Sequence, residues 1–428
     1  MTSTPVAGPG ETAGHPFRIG YFRNLWIGAT LSLLGDQFFL VALPWLVLRL
    51  TGSSLALGTI LMAAAIPRAA LMLVGGAVTD RFSPRNVLIA TGVVRIILVA
   101  TMAALTGLEV IRLWQIYVLA CAFGVADAFS FPASTALLPS LVRPEQYAAA
   151  DSMLEGSAQL STIFGPAPAG LAIKHWGVAT AFWIDAASFL GPVVALLWVP
   201  DRPRQPVAQA GVSQLTLPQS SLPQSSLPQS NVLRSIADGL RYVLQDRTLR
   251  LLFVVSAVLN LAVAGPLAVG LAAMASFRFG SAAAYGIMLS CFEGGALAGM
   301  LLSGALQKFA HRGWSLIALT FATGLSLIGL AVVNRLVAVA VVLAFMGLCS
   351  GFVNIQIMSW IQARVAPDML GRLMSVLMFS AVGLTPVSFV LAGAVAEAHL
   401  AALYLAAGAI VLITAFALLL ASPAKAFG

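Results

Sequence analysis

Six ionisable side chains stand inside stretches of sequence that are otherwise almost wholly apolar: Asp36, Arg68, Arg95, Asp127, Asp185 and Glu293. Holding a charge in hydrocarbon costs roughly 2.5–3.5 kcal/mol on insertion scales, so such residues mark ion, proton or substrate handling. Asp36 and Arg68 each lie sixteen residues from Gly52, the turn expected between their helices. An antiparallel hairpin places them at one depth, where an Asp–Arg pair is neutral and far cheaper than either charge alone. Asp36 therefore reads either as a proton- or cation-coupling carboxylate tuned by Arg68, or as half of a fixed ion pair that locks the hairpin. Glu293 has no cation near it in sequence and precedes Gly294 and Gly295. It reads as a proton or substrate site, or as a neutral, hydrogen-bonded carboxyl group. Asp127 and Asp185 are candidates for the same chemistry, with hydrogen bonding between helices as the alternative. Arg95 lies about two turns from a helix end and is expected to be structural, snorkelling to the surface or pairing with an acid.

The elements that must position these groups follow from composition. The chain has 428 residues, of which 60% are hydrophobic and 9% charged. Soluble domains carry about 25% charged residues, so lipid is the expected solvent. A span needs about 20 apolar residues, and the chain has room for twelve. The fold class is therefore expected to be an all-α membrane protein of twelve transmembrane helices in two six-helix pseudo-repeats. The expected organisation is a cytoplasmic tail (1–22), a six-helix half (23–199), a linker (200–230), an amphipathic surface helix (231–249), a second six-helix half (250–421) and a cytoplasmic tail (422–428). The linker carries the repeat TLPQS, SLPQS, SLPQS and cannot bury a core. Residues 1–20 lack the apolar core of a cleavable leader, so the first helix is expected to act as its own insertion signal.

Orientation follows from the basic residues. Of 23 Lys and Arg, only Arg49, Arg112, Lys174, Arg278 and Arg335 fall on one side, and Arg68 and Arg95 lie within helices. The rest crowd the other side, which makes it cytoplasmic and puts both termini there. The net charge of +8 thus reflects topology and does not call for a nucleic-acid partner. Cys121, Cys291 and Cys349 fall in apolar runs and offer neither a disulfide framework nor metal spacing. No phosphate loop, nucleophile elbow or Cys/His cluster is present, so an enzyme, a metal and a cofactor are not expected.

Two further stretches suggest moving parts. Gly76-Ala-Val-Thr-Asp80-Arg81-Phe-Ser-Pro-Arg85 is a short basic loop between apolar runs, expected to act as a cytoplasmic gate or to mark topology alone. It has a worn copy at 304–312, and Val142-Arg-Pro-Glu returns as Val365-Ala-Pro-Asp. Offsets of about 220–230 residues suggest a duplicated unit around a central cavity, as in many transporters. Phe164-Gly165-Pro166-Ala-Pro168-Ala-Gly170 sits inside one expected helix. Two missing amide donors bend or weaken it, and the glycines allow close packing, giving a seal, a rocking joint or a simple kink.

The loop at Gly76, Asp80, Arg81 and Arg85 resembles the signature GxxxDRxGRR of major facilitator superfamily transporters, with Ser83 and Pro84 departing from it. Gly165, Pro166 and Gly170 resemble the helix-5 motif of that superfamily's antiporters. Ser32-Leu-Leu-Gly-Asp36, Ala42-Leu-Pro-Trp45, Gly124 to Ala133, Asp185 with Ser188-Phe189, and Val365 to Arg372 are similar to the macrolide-efflux and enterobactin-exporter branch. The resemblance implies a multi-pass transporter of the inner membrane, working as a monomer. It would export a hydrophobic small molecule such as a drug, antibiotic or siderophore in exchange for protons. Import of a small metabolite in the same fold is the first alternative, and a non-transporting sensor or assembly factor the second.

Overall fold

The computed structural model describes residues 15–199, 241, 247–306, 312–364 and 367–420. The expected linker, nearly all of the expected surface helix, the tail at 422–428 and part of the 304–312 loop lie outside the described residues, as does the side chain of Asp80.

Among the described residues the chain is helical almost throughout. The helices are α1 (Gly20–Thr51), α2 (Ser54–Arg81), α3 (Pro84–Gly107), α4 (Leu113–Leu141), α5 (Tyr147–Phe164), α6 (Pro166–Trp176), α7 (Val178–Ser188) and α8 (Leu190–Leu197). After the undescribed stretch come α9 (Arg247–Gly265), α10 (Ala282–Ala305), α11 (Arg312–Val332), α12 (Leu336–Arg364), α13 (Pro367–Ala398) and α14 (Leu400–Leu420). Ten spans among the described residues are long and apolar enough to cross a membrane. The α5–α6 rod and α13 are not among them. The α5–α6 helix is interrupted at Gly165, which keeps helical dihedrals (φ −77°, ψ −45°) while Pro166 supplies no amide donor.

Helix ends cannot leave backbone groups bare beside lipid, and the turns are built accordingly. Gly52 ends α1 in the left-handed region (φ 65°), and Ser53 Oγ accepts from the N–H of Ala56 to start α2. The same pair recurs at Gly280 (φ 61°) and Ser281, whose Oγ accepts from Ala284 at the start of α10. A β-carbon at the left-handed position is disfavoured, which is why both turns use glycine.

Lipid tails give no hydrophobic drive between helices, so close backbone packing holds the bundle. The α10/α12 pair shows how. A β-carbon on Gly295 or Gly299 would strike the carbonyls of Ala344 or Leu348, and one on Gly347 or Gly351 would strike those of Phe292 or Ala296. The α2/α4 pair repeats the device with Gly75 against Ala128 and Gly124 against Ala64. Gly347→Leu is expected to push α10 and α12 apart and cost about 2 kcal/mol or more; thermal unfolding in detergent checks this, and an unchanged midpoint would contradict the packing.

Val41 to Leu48 of α1 are buried on every side, so that end of α1 lies at the centre of the bundle. The outer surface is apolar: Ile97, Val337, Ile413 and Phe416 are all well exposed. Exposed Trp114, Trp176, Trp198 and Trp314 stand at or beside helix ends, the level at which indole rings meet a membrane interface.

Candidate functional site

The charges inside the first set of helices converge. Asp127 on α4 takes Arg68 of α2 on one oxygen, with Arg68 Nε 2.9 Å from Oδ2, and Arg95 of α3 on the other. Close approach of α2 to α4 through Gly75 and Gly124 brings Arg68 to this partner. The expected Asp36–Arg68 contact is therefore not made: Arg68 turns across the α2/α4 crossing instead of along the α1/α2 hairpin. Asp36 lies within electrostatic reach of both Arg95 and Arg68 without touching either. Arg95 is further held between the rings of Phe123 and Phe189, its guanidinium carbon 5.2 and 5.5 Å from their centroids. An aromatic face is a favourable neighbour for a desolvated guanidinium.

Asp185 on α7 completes the group. It is fully buried, and neither carboxylate oxygen has a hydrogen-bond partner among the described residues. It interacts electrostatically with Asp36 and Arg95, and its Oδ1 lies against Gly35, beside Asp36. Gly35 is required here, because a β-carbon would collide with Ser188. Five helices thus gather three carboxyl groups around two guanidiniums. With all five ionised the group carries one uncompensated negative charge; one proton on the Asp36/Asp185 side balances it. A group of this kind can take up one proton to become neutral overall and give it back to carry one negative charge, as a titrating site must.

Glu293 stands apart, on α10. It lines a cavity of about 360 Å³ whose walls come from α1 (Phe39, Leu43), α2 (Leu61), the segment after α9 (Leu267), α10 (Leu289, Phe292) and α13 (Phe389). Glu293 is the only charged residue in that lining, and among the described residues it has no ion-pair or hydrogen-bond partner. Arg68 is not part of the wall. The cavity wall also contains a feature that sequence reasoning missed. From Pro266 to Gly270, and again from Met274 to Phe279, the backbone is π-helical. Pro266, lacking an N–H within an apolar run, is the signal that marks it. Next to it, Ser388 Oγ accepts from the Gly265 N–H and donates to the Leu261 carbonyl, tying α13 to α9.

The residues expected at the gate are placed differently from one another. Gly76 is in the last turns of α2, and Arg81 ends that helix with its side chain exposed. Arg85 donates from Nε to the Leu196 carbonyl at 2.8 Å and from Nη2 to that of Leu197 at 3.2 Å. It therefore caps α8, where a cation also meets the negative end of the helix dipole. Gly165 packs on the side chain of Gln37, and Gly170 on the backbone of Ala282 and Ala283. In return, Gly286 of α10 packs on the Pro166 carbonyl. The Gly165–Gly170 segment is thus the place where α6 and α10 touch most closely.

The sequence model of the transmembrane secretion effector family, MFS_3, matches residues 11–427. The chain belongs to this family. It is a multi-pass transporter of the major facilitator type acting on small molecules, and not an enzyme. Among curated relatives it is similar to the multidrug efflux pump Tap of Mycolicibacterium fortuitum, at 25% identity over 91% of both chains. It is also similar to macrolide efflux protein A of Streptococcus pyogenes, at 24% identity over 83% of this chain and 84% of that one. Among solved structures it shares the fold of the nucleoside transporter NupG, with a TM-score of 0.70 at 14% identity, covering 94% of this chain and 98% of that one. A bacterial homologue of the iron transporter ferroportin, in an inward-facing state, gives a TM-score of 0.66 at 17% identity, covering 93% and 98%. The matched family and the two efflux pumps fit the resemblance read from the Gly76–Arg85 loop and from the segments around Asp36 and Asp127.

Proposed function

We propose that this transporter exports a hydrophobic small molecule, such as a drug, antibiotic or siderophore-like compound, in exchange for protons. The observation that carries the proposal is the pairing of two unlike sites. One is a buried charge group with an unpartnered carboxyl, Asp185, beside Asp36. The other is an apolar cavity with a single carboxyl, Glu293, placed to meet a positive charge on cargo. The efflux pumps related along most of the chain support the direction of transport.

The chain would cross the inner membrane twelve times in two six-helix halves, with both termini cytoplasmic and no partner subunit. The recurrence of the Gly52–Ser53 turn at Gly280–Ser281, and of the α2/α4 packing in α10/α12, supports the duplication. The turns at Gly52 and Gly280 then face outwards, and the Gly76–Arg85 loop faces the cytoplasm with Asp80, Arg81 and Arg85 at the inner gate. The α6/α10 and α2/α13 contacts lie towards the outer end, so the described state is closed to the outside. Proton binding on the Asp36/Asp185 side favours the return to the inward-facing state, and cargo binding at Glu293 favours export.

Respiration-energised everted vesicles carrying the protein should accumulate a lipophilic cationic dye, and a protonophore should abolish this. Glu293→Gln should leave the protein folded and cut dye accumulation at least tenfold. Unchanged accumulation by that variant would remove Glu293 from the cargo site, and accumulation that survives the protonophore would contradict proton exchange.

A further inference from the structure

Glu397, near the end of α13, is exposed and belongs to neither site described above. Its Oε2 accepts two backbone hydrogen bonds from another part of the bundle, from the N–H of Ser54 at 2.6 Å and from that of Leu55 at 3.2 Å. These are the first two residues of α2, whose amide donors have no partner within their own helix. Ser53 caps only the N–H of Ala56 by its side chain. The start of α2 is thus satisfied only with α13 in place. A carboxylate accepting from a helix N-terminus gains from both the charge-assisted bonds and the helix dipole.

The contact also sits where it matters for access. Below it α2 and α13 touch backbone to backbone: a β-carbon on Gly58 would strike the Phe389 carbonyl, and one on Gly393 the Ser54 carbonyl. One turn further in, the same two helices supply Leu61, Thr385 and Phe389 to the cavity wall. Ser54 is itself wholly buried. Separating α2 from α13 at this end would open the cavity on that side, and the Glu397 bonds would be the first to break.

We propose that Glu397 is a latch that holds the cavity closed to the outside, by capping α2 of the first half from α13 of the second. This rests on the alternating-access reading above and adds the group that weights one state against the other. While the latch is made, α2 has its end satisfied by protein; when it opens, water must replace the carboxylate. Removing the acceptor therefore shifts the population towards the outward-open state.

The test uses the full chain with Cys121, Cys291 and Cys349 replaced and Leu61→Cys added as a reporter in the cavity. A membrane-impermeant maleimide is applied from the outside of intact cells. Glu397→Ala should raise the labelling rate about tenfold, because at this exposed position water recovers part of what the two lost hydrogen bonds supply. Glu397→Gln should fall between, because its amide oxygen still accepts but carries no charge. Export of the dye is measured in the same cells. Intact export with an unchanged labelling rate in Glu397→Ala overturns the latch alone. A cavity cysteine labelled from only one face of the membrane, in every variant and with or without dye, overturns alternating access itself.

Discussion

Asp127→Ala is expected to destabilise the protein by about 3–5 kcal/mol, the range found when one partner is removed from a buried ion pair. Asp127 is the only carboxylate in direct contact with either Arg68 or Arg95 among the described residues. The two guanidiniums differ in what they lose. The Arg68 side chain is 54% exposed and can rehydrate, whereas that of Arg95 is 13% exposed and cannot. Most of the cost therefore falls on Arg95, whose Nε already lacks a partner. Asp127→Asn should cost less, since one amide oxygen still accepts. The double variant Asp127→Leu with Arg95→Leu should recover much of the loss, because neither buried charge remains. Thermal unfolding of the purified variants in detergent reads all three. A single Asp127→Ala variant as stable as wild type would contradict the arrangement.

The second large effect is on turnover. Asp36→Asn is expected to reduce the proposed proton-driven export by a hundredfold or more while changing stability little. Asp36 is half-buried, makes no direct ion pair, and sits between the cations Arg68 and Arg95 and the carboxyl of Asp185. Amide replacement keeps the shape and removes the exchangeable proton. Asp185→Asn should act in the same direction, since its carboxyl group lies against Gly35, beside Asp36, in the same buried charge group. Energised dye uptake into everted vesicles measures both; full activity in both variants would move the coupling site elsewhere.

Depth along a helix can be counted from a turn, and Asp36 and Arg68, sixteen residues either side of Gly52, lie within electrostatic reach of one another. Azimuth cannot be counted in the same way. Arg68 reaches Asp127 because Gly75 and Gly124 let α2 and α4 approach backbone to backbone, and that depends on how two distant helices cross. For the same reason the acid that pairs with Arg95 could not be named from the sequence: Asp127 and Phe123 of α4, and Phe189 after α7, converge on it. Glu293 was recognisable at once as a charge in an apolar run, but its cavity is made by five segments that no local pattern connects. Arg85 was read within its loop, and its bonds to the end of α8 cross more than a hundred residues. Glu397 passed unnoticed because a charge near a helix end is ordinary; only its meeting with the bare amides of α2 makes it distinctive.

If cargo leaves in exchange for protons, as proposed, binding of cargo and binding of a proton exclude one another in this chain. Proton release on ligand binding tests it most directly. Purified protein in weakly buffered detergent solution is mixed with tetraphenylphosphonium, a lipophilic cation, and the pH is followed. The account predicts release of about one proton per bound cation by the wild type and none by Asp36→Asn. Binding of the cation by the wild type with no change in pH would contradict it.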